Sequence, residues 1–240
     1  LHGKHLSPNE ARLLIEKERY SWIKNPESFE EQALMMVGPT IYELFLKGYT
    51  EKQWGVSPRS LPSTILKRIP IRFNYDSSYH RSKYSGIPRN GYTRLVENIL
   101  DHENIKVNLN SRWSRKKEKS FDHVFYSGPI DALYHFNDGR LSYRTIWFEE
   151  KLFTGDFQGG PQVNYTDHSH PFTRITEHKH FPFEGESEKT IIFKEFSKET
   201  SDKDVPYYPK RLEGDKKIYK KYLARLKNDI PITVFGRLGT

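Results

Sequence analysis

Gly48-Tyr49-Thr50-Glu51-Lys52-Gln53-Trp54-Gly55 (GYTEKQWG) stands where the chain changes character. Upstream of it the pattern is helical. Ser7-Pro8-Asn9-Glu10 is a capping box with proline at the first helical position, predicting a helix from about Pro8 to Tyr20. Ser28-Phe29-Glu30-Glu31 is a second box, opening a helix through Ala33, Leu34, Met35, Met36 and Val37 that should stop at Gly38. Pro39 can start the next helix. There Ile41, Leu44 and Phe45 recur at helical spacing and should bury one face, with Gly48 ending the run. Within the octapeptide, Tyr49 and Trp54 lie among polar residues between two glycines. Composition alone reads them equally as core or as the wall of a binding site.

Downstream, punctuation increases. Pro58, Pro62 and Pro70 bracket a short loop-like region, and Ile71-Arg72-Phe73-Asn74-Tyr75 alternates like a strand. Gly91 precedes a helical run with Leu95, Val96, Ile99 and Leu100. Strands are expected at Ile105–Leu109 and His123–Tyr126, the latter running into Ser127-Gly128-Pro129. Leu141–Phe148, Gln162–Tyr165, Thr173–His178 and Thr190–Phe196 follow without long intervening helices, which predicts an antiparallel sheet. Asp215–Asn228 reads as an amphipathic helix, and Ile232–Phe235 as a last strand leading into Gly236-Arg237-Leu238-Gly239. The fold class is mixed α+β and α/β with interleaved units.

The chain has 240 residues, net charge +8 and 29% charged residues, and no apolar run of membrane-spanning length or signal-peptide pattern. It contains no cysteine, which removes disulfides, thiolate metal sites and cysteine nucleophiles and fits a cytoplasmic protein. The basic balance favours anionic partners. The densest run, Arg112, Arg115, Lys116, Lys117 and Lys119, reads as a solvated turn, so a phosphorylated small molecule fits better than a nucleic-acid track. The chain begins at Leu1 rather than Met and ends just after an apparent core strand, so we expect a piece of a longer protein.

Several residues could carry chemistry. Arg68 lies between two prolines, while Arg144 and Arg174 alternate with apolar residues on expected strands. Such guanidinium forks could meet at one cleft and hold diphosphate oxygens bidentately. His178 and His180 would share one face of a strand, but without a third ligand no metal site is expected. Asp167-His168-Ser169-His170 offers hydrolase-like residue types without a nucleophile elbow. No Walker A motif and no Gly-x-Gly-x-x-Gly is present. Pro206-Tyr207-Tyr208-Pro209 is a stiffened aromatic loop.

Six stretches together resemble one family. They are GYTEKQWG, LPSTILKRIPIRFNYD at 61–76, YSGIPRNGYTRLVENIL at 84–100, FYSGPID at 125–131, FTRITEHKHF at 172–181 and PYYP at 206–209. In this order, across nearly the whole chain, they resemble UDP-galactopyranose mutase. The resemblance implies a flavoenzyme that interconverts UDP-galactopyranose and UDP-galactofuranose for galactofuranose-containing glycans, through an adduct between the sugar and N5 of reduced FAD. It implies that Arg68, on a mobile loop, and Arg174, on the opposite wall, are catalytic arginines at the diphosphate. It implies substrate contacts at Phe45, Tyr49, Trp54, Tyr79, Asn164, Tyr208 and Arg144, with Phe45 and Tyr49 at the uridine. Flavin contacts would come from Val107 through its backbone, from Ser127 and Gly128, and from Arg237.

The organisation this implies is a helical substrate unit over 1–68 with a mobile loop near 56–70, and an antiparallel sheet from 69–85 and 140–197. Residues 86–131 and 229–240 would form part of a Rossmann-like FAD-binding domain, with 198–228 connecting. The family's amino-terminal dinucleotide fingerprint and carboxy-terminal tail have no counterpart in the sequence, so these residues alone are expected neither to hold FAD tightly nor to turn over. The partner implied is the UDP-galactose nucleotide sugar, with no nucleic acid and no membrane insertion; a homodimer stays open. A mutase for a related UDP-hexose such as UDP-N-acetylgalactosamine, and a non-catalytic UDP-sugar-binding chain, are the alternatives.

Overall fold

The computed structural model describes residues 3, 5–67, 69, 71–76, 82–111, 113–114, 120–181, 187–227 and 231–239. Both capping boxes form. Helix α1 (Pro8–Glu18) has Ser7 as N-cap and α2 (Phe29–Ile41) has Ser28, each with the reciprocal glutamate bond from Glu10 or Glu31. Gly38 breaks the helical path as expected. Its φ is +77°, and a Cβ there would come within 2.9 Å of the Glu18 backbone, so α1 and α2 can cross closely.

The next segment departs from expectation. Tyr42–Lys47 is a π-helix, and it runs straight into α3 (Gly48–Trp54). The wider turn rotates the faces that a 3.6-residue period assigns. Tyr42 is therefore the buried residue, while Leu44 and Phe45 of the expected core face are 53% and 46% exposed. Gly48 does not end the helix: its φ and ψ are −65° and −36°, ordinary helical values. The terminator is Gly55, in the left-handed region at φ +66°. Phe29, Ala33, Tyr42, Leu61 and Leu66 form the helical core, with Trp54 packed at its edge; Leu66 comes from the short α4 (Thr64–Lys67).

Two expected strands are absent. Residues 71–76 bend irregularly because local bonds compete with pairing: Arg72 reaches Asp76 at 2.8 Å, and the Asp76 N–H donates to the Asn74 side chain. Residues 105–109 are irregular and exposed, with no described strand alongside to complete their hydrogen bonds. The helix between them does form, as α5 (Gly91–Leu100), but none of its residues is buried.

The remainder follows the sequence closely. β1 (Val124–Tyr126) precedes α6 (Ile130–Leu133), and β2 (Tyr143–Thr154), β3 (Gln162–Asn164), β4 (Arg174–Glu177) and β5 (Lys189–Glu199) build the sheet. With β6 (Tyr208–Pro209) at its edge, the order is β3-β4-β5-β2-β6, antiparallel throughout. No part of 71–76 joins it. One face buries Phe172, Ile175 and Ile192. Helix α7 (Glu213–Lys227) sets Tyr222 against Ile130, Leu133, Tyr134 and Ile232. There β7 (Ile232–Val234) pairs parallel with β1, ahead of the terminal turn α8 (Gly236–Gly239). No helix among the described residues is long and apolar enough to cross a membrane.

Candidate functional site

Cross-strand register lines up the polar residues on the sheet face opposite its core. Asn164 on β3 pairs with Arg174 on β4, Arg174 with Glu195 on β5, and Glu195 with Phe148 on β2. Directly paired residues project to one side, so Asn164, Arg174, Glu195 and Phe148 form a single row. Four residues along β2 from Phe148, and so on the same face, Arg144 pairs with Tyr208 on β6. The sequence-read substrate residues Asn164, Arg174, Arg144 and Tyr208 therefore share one sheet face.

Helix α3 lies on this face. The Tyr49 hydroxyl accepts a hydrogen bond from the Arg174 guanidinium, which sits 5.8 Å from the Tyr49 ring centroid. Burial pushes the Tyr49 hydroxyl pKa up, against the opposing pull of Arg174, so the phenol stays protonated. Arg174 Nε lies 3.2 Å from Glu195 Oε1, a carboxylate also held by the Thr173 hydroxyl at 2.9 Å. Glu195 is a residue the sequence reading missed. Its available signal was an acid on a strand between Ile192 and Phe196, where apolar residues were expected. It orients the guanidinium while a quarter of the Arg174 side chain remains exposed.

Arg144 has a different setting from Arg174. Its side chain is only 5% exposed, and its donors go to the Gln53 carbonyl (3.1 Å), the Lys52 carbonyl (3.3 Å), Ser197 (3.0 Å) and Glu199 (2.8 Å). It satisfies the last carbonyls of α3 and pins that helix to the sheet. A Cβ on Gly55 would run into this guanidinium. Gly48 has a matching task at the other end of α3, where a Cβ would strike the Thr166 carbonyl. Both glycines of the octapeptide thus permit close approach.

The aromatic wall continues along the edge. Trp54 and Tyr208 have ring centroids 6.2 Å apart, and the Arg237 guanidinium lies 4.5 Å from the Tyr208 ring centroid. Arg237 follows β7, and Ser127-Gly128 follow β1. With Tyr126 paired to Val234, these residues emerge at the same carboxyl edge of the parallel pair, the edge where α/β sheets bind ligands. A cavity of about 800 Å³ reaches Leu238, next to Arg237, and is lined also by Pro62, Tyr143, Pro209 and Tyr219. Phe45 is exposed on the π-helix, and Val107 is half exposed beside Val96 and Leu100 of α5. Arg68 and Tyr79 lie outside the described residues.

The histidine pair does not share a strand face. β4 ends at Glu177, and His178–His180 is a 3-10 turn. His178 packs on Phe193, whereas His180 Nε2 lies 3.0 Å from Asp156 and 3.4 Å from Glu177. Glu177 is fully buried and accepts from Thr190 (2.7 Å), the Phe157 N–H (3.0 Å) and the Gln158 N–H (2.8 Å). Burial would raise its pKa, but these donors bring it below the ordinary value. In the hydrolase-like stretch, His168 bonds Glu51 at 2.8 Å, and Asp167 closes a local turn onto Ser169.

Known proteins match this chain in sequence and in fold. The UDP-galactopyranose mutase (GLF) family profile matches residues 44–240. A probable UDP-galactopyranose mutase of Klebsiella pneumoniae is 48% identical over 239 residues, covering 99% of this chain and 62% of that protein. A dTDP-fucopyranose mutase of Escherichia coli is 44% identical, covering 98% of this chain and 64% of that protein. The crystal structure of a reduced UDP-galactopyranose mutase superposes with a TM-score of 0.66 at 14% identity, over 97% of this chain and 65% of that one, which supports the fold. The chain thus spans less than two thirds of the length of these relatives. It belongs to the UDP-galactopyranose mutase family.

Proposed function

We propose that this chain carries the substrate-binding face of a flavin-dependent isomerase that interconverts UDP-galactopyranose and UDP-galactofuranose. The observation that supports it best is Arg174, which stays partly open beside Tyr49 and opposite Asn164. A guanidinium already oriented by Glu195 needs little reorganisation to meet a diphosphate. Tyr49 and Trp54 offer flat faces to a base and a sugar. The isomerisation breaks and remakes the bond between the anomeric carbon and the UDP oxygen. Arg174, together with Arg68, would offset the negative charge that gathers on departing UDP.

Ser127, Gly128 and Arg237 would hold FAD at the carboxyl edge of β1 and β7. When bound and reduced, the flavin supplies the nucleophile for the anomeric carbon. Arg237, between this edge and Tyr208, would keep the ring end and the sugar end in register.

A second reading, a dTDP-sugar substrate, is favoured by one observation: the dTDP-fucopyranose mutase is almost as similar as the UDP-sugar relative. Titrating the protein with UDP and with dTDP, following Trp fluorescence, separates the two. We expect saturable UDP binding that Arg174→Ala weakens at least about tenfold, equivalent to roughly 1.4 kcal/mol. Stronger dTDP binding would replace the UDP reading. Saturation by neither nucleotide would contradict both.

A further inference from the structure

The octapeptide contains one more residue whose geometry calls for a role. Lys52 lies on α3 between Tyr49 and Trp54, and its ammonium donates to three backbone carbonyls. They belong to Tyr165 at 2.8 Å, His170 at 3.0 Å and Phe172 at 2.9 Å. All three lie in the loop joining β3 to β4. Tyr165 directly follows Asn164, and Phe172 comes two residues before Arg174. The Tyr165 N–H closes the loop's neck onto the Thr173 carbonyl at 2.9 Å. The carbonyls on both sides of that neck therefore converge on one charged nitrogen from the facing helix.

The chemistry suits an ammonium in particular. Its three N–H bonds spread from one atom and can serve three carbonyls at once. A planar guanidinium cannot converge on the same point, and a neutral amine has only two hydrogens. Another link between α3 and the loop, Glu51 to His168, has the histidine side chain 63% exposed and contributes little. Gly48 permits the approach of the loop but does not hold it.

We propose that Lys52 is a positioning residue: its ammonium holds the β3–β4 hairpin against α3 and so sets the spacing between Tyr49 and the Asn164–Arg174 pair, across which the nucleotide diphosphate binds. The clause about the nucleotide rests on the function proposed above. The hold on the hairpin does not.

The absence of cysteine makes a direct test available. In Lys52→Cys the new thiol is unique, so 2-bromoethylamine rebuilds an ammonium of nearly lysine length, and iodoacetamide gives a neutral side chain at the same position. UDP affinity and amide hydrogen exchange over residues 165–173 are measured for the wild type, Lys52→Met and the two alkylated forms. Lys52→Met should raise the UDP Kd about tenfold, as expected for the loss of roughly one charge-assisted contact. Hairpin exchange should accelerate in the same variant. Aminoethylation should restore both readouts, and the acetamide form should restore neither.

An unchanged Kd in Lys52→Met with a loosened hairpin would overturn the positioning role, as would equal rescue by the neutral adduct. Unchanged exchange would overturn the hold itself. If the wild type binds no UDP, the nucleotide reading fails, and the proposal is judged by exchange alone. Should Lys52→Met not fold, Lys52→Gln carries the same comparison.

Discussion

Helix α5 was legible in the sequence, whereas α3 starts at the glycine that looked like a helix end, and the two meet opposite surroundings. Around α3, side chains from the sheet take up its terminal carbonyls, its glycines admit neighbouring backbone, and its tyrosine bonds Arg174. Along α5, Tyr92, Leu95, Val96, Ile99 and Leu100 make an apolar stripe at helical spacing, and every one is at least 36% exposed. Periodicity tells which residues share a face. What that face meets is a tertiary matter, and in this chain α3 is held by partners distant in sequence whereas the α5 stripe is open to solvent.

The largest difference between the two regions should appear on removing Arg144. Arg144→Met takes the guanidinium donors from the Lys52 and Gln53 carbonyls, leaving Gln53 only the Ser197 hydroxyl at 2.6 Å, and we expect a loss of about 2–4 kcal/mol in urea unfolding. A loss below about 1 kcal/mol would mean that α3 is held in some other way. Next comes Tyr222→Phe, which removes the hydroxyl that donates to the Gly139 carbonyl at 2.6 Å and accepts from the Asp138 N–H at 3.1 Å. About 1–2 kcal/mol should be lost, measured in the same way.

A pH effect is expected from the buried carboxylate of the sheet. The folded-state pKa of Glu177 is lowered from 4.5, so its contribution is present above that value and is lost as pH falls through the folded pKa. Stability should therefore decline as pH drops below about 4.5, and Glu177→Gln should flatten that limb of the profile. The smallest effect is expected on α5. Ile99→Lys replaces a side chain 65% exposed and should change unfolding free energy by less than about 0.5 kcal/mol. A loss of several times that figure would show that the stripe is covered in solution.

What the sequence disclosed follows the range of the forces involved. The capping boxes at Ser7 and Ser28 close over three residues, and strand-like segments following one another without long helices report an antiparallel sheet. Both were readable. The cleft residues Asn164, Arg174 and Tyr208 were named through resemblance, and the register then placed them on one face. The rest depended on distant partners. The π-helix turned the expected Leu44–Phe45 face outward, because one wide turn shifts every later position. Gly48 looked like a helix terminator, but its lack of a Cβ serves the Thr166 carbonyl, more than a hundred residues away in sequence. Strand-like residues 105–109 lack a described neighbour, and β pairing needs two strands. Glu195 and Lys52 look like ordinary surface charges until the fold brings Arg174 and the hairpin carbonyls to them.

The reading of the α3 face as the nucleotide-diphosphate site can be tested residue by residue, by titrating isotope-labelled protein with UDP and following backbone and side-chain resonances. Saturable shifts are expected at the Trp54 indole, Tyr49, Asn164 and the Arg174 guanidinium, with α5 unchanged. Shifts confined to α5, or none at the Arg174–Tyr49 contact at saturating UDP, would contradict it.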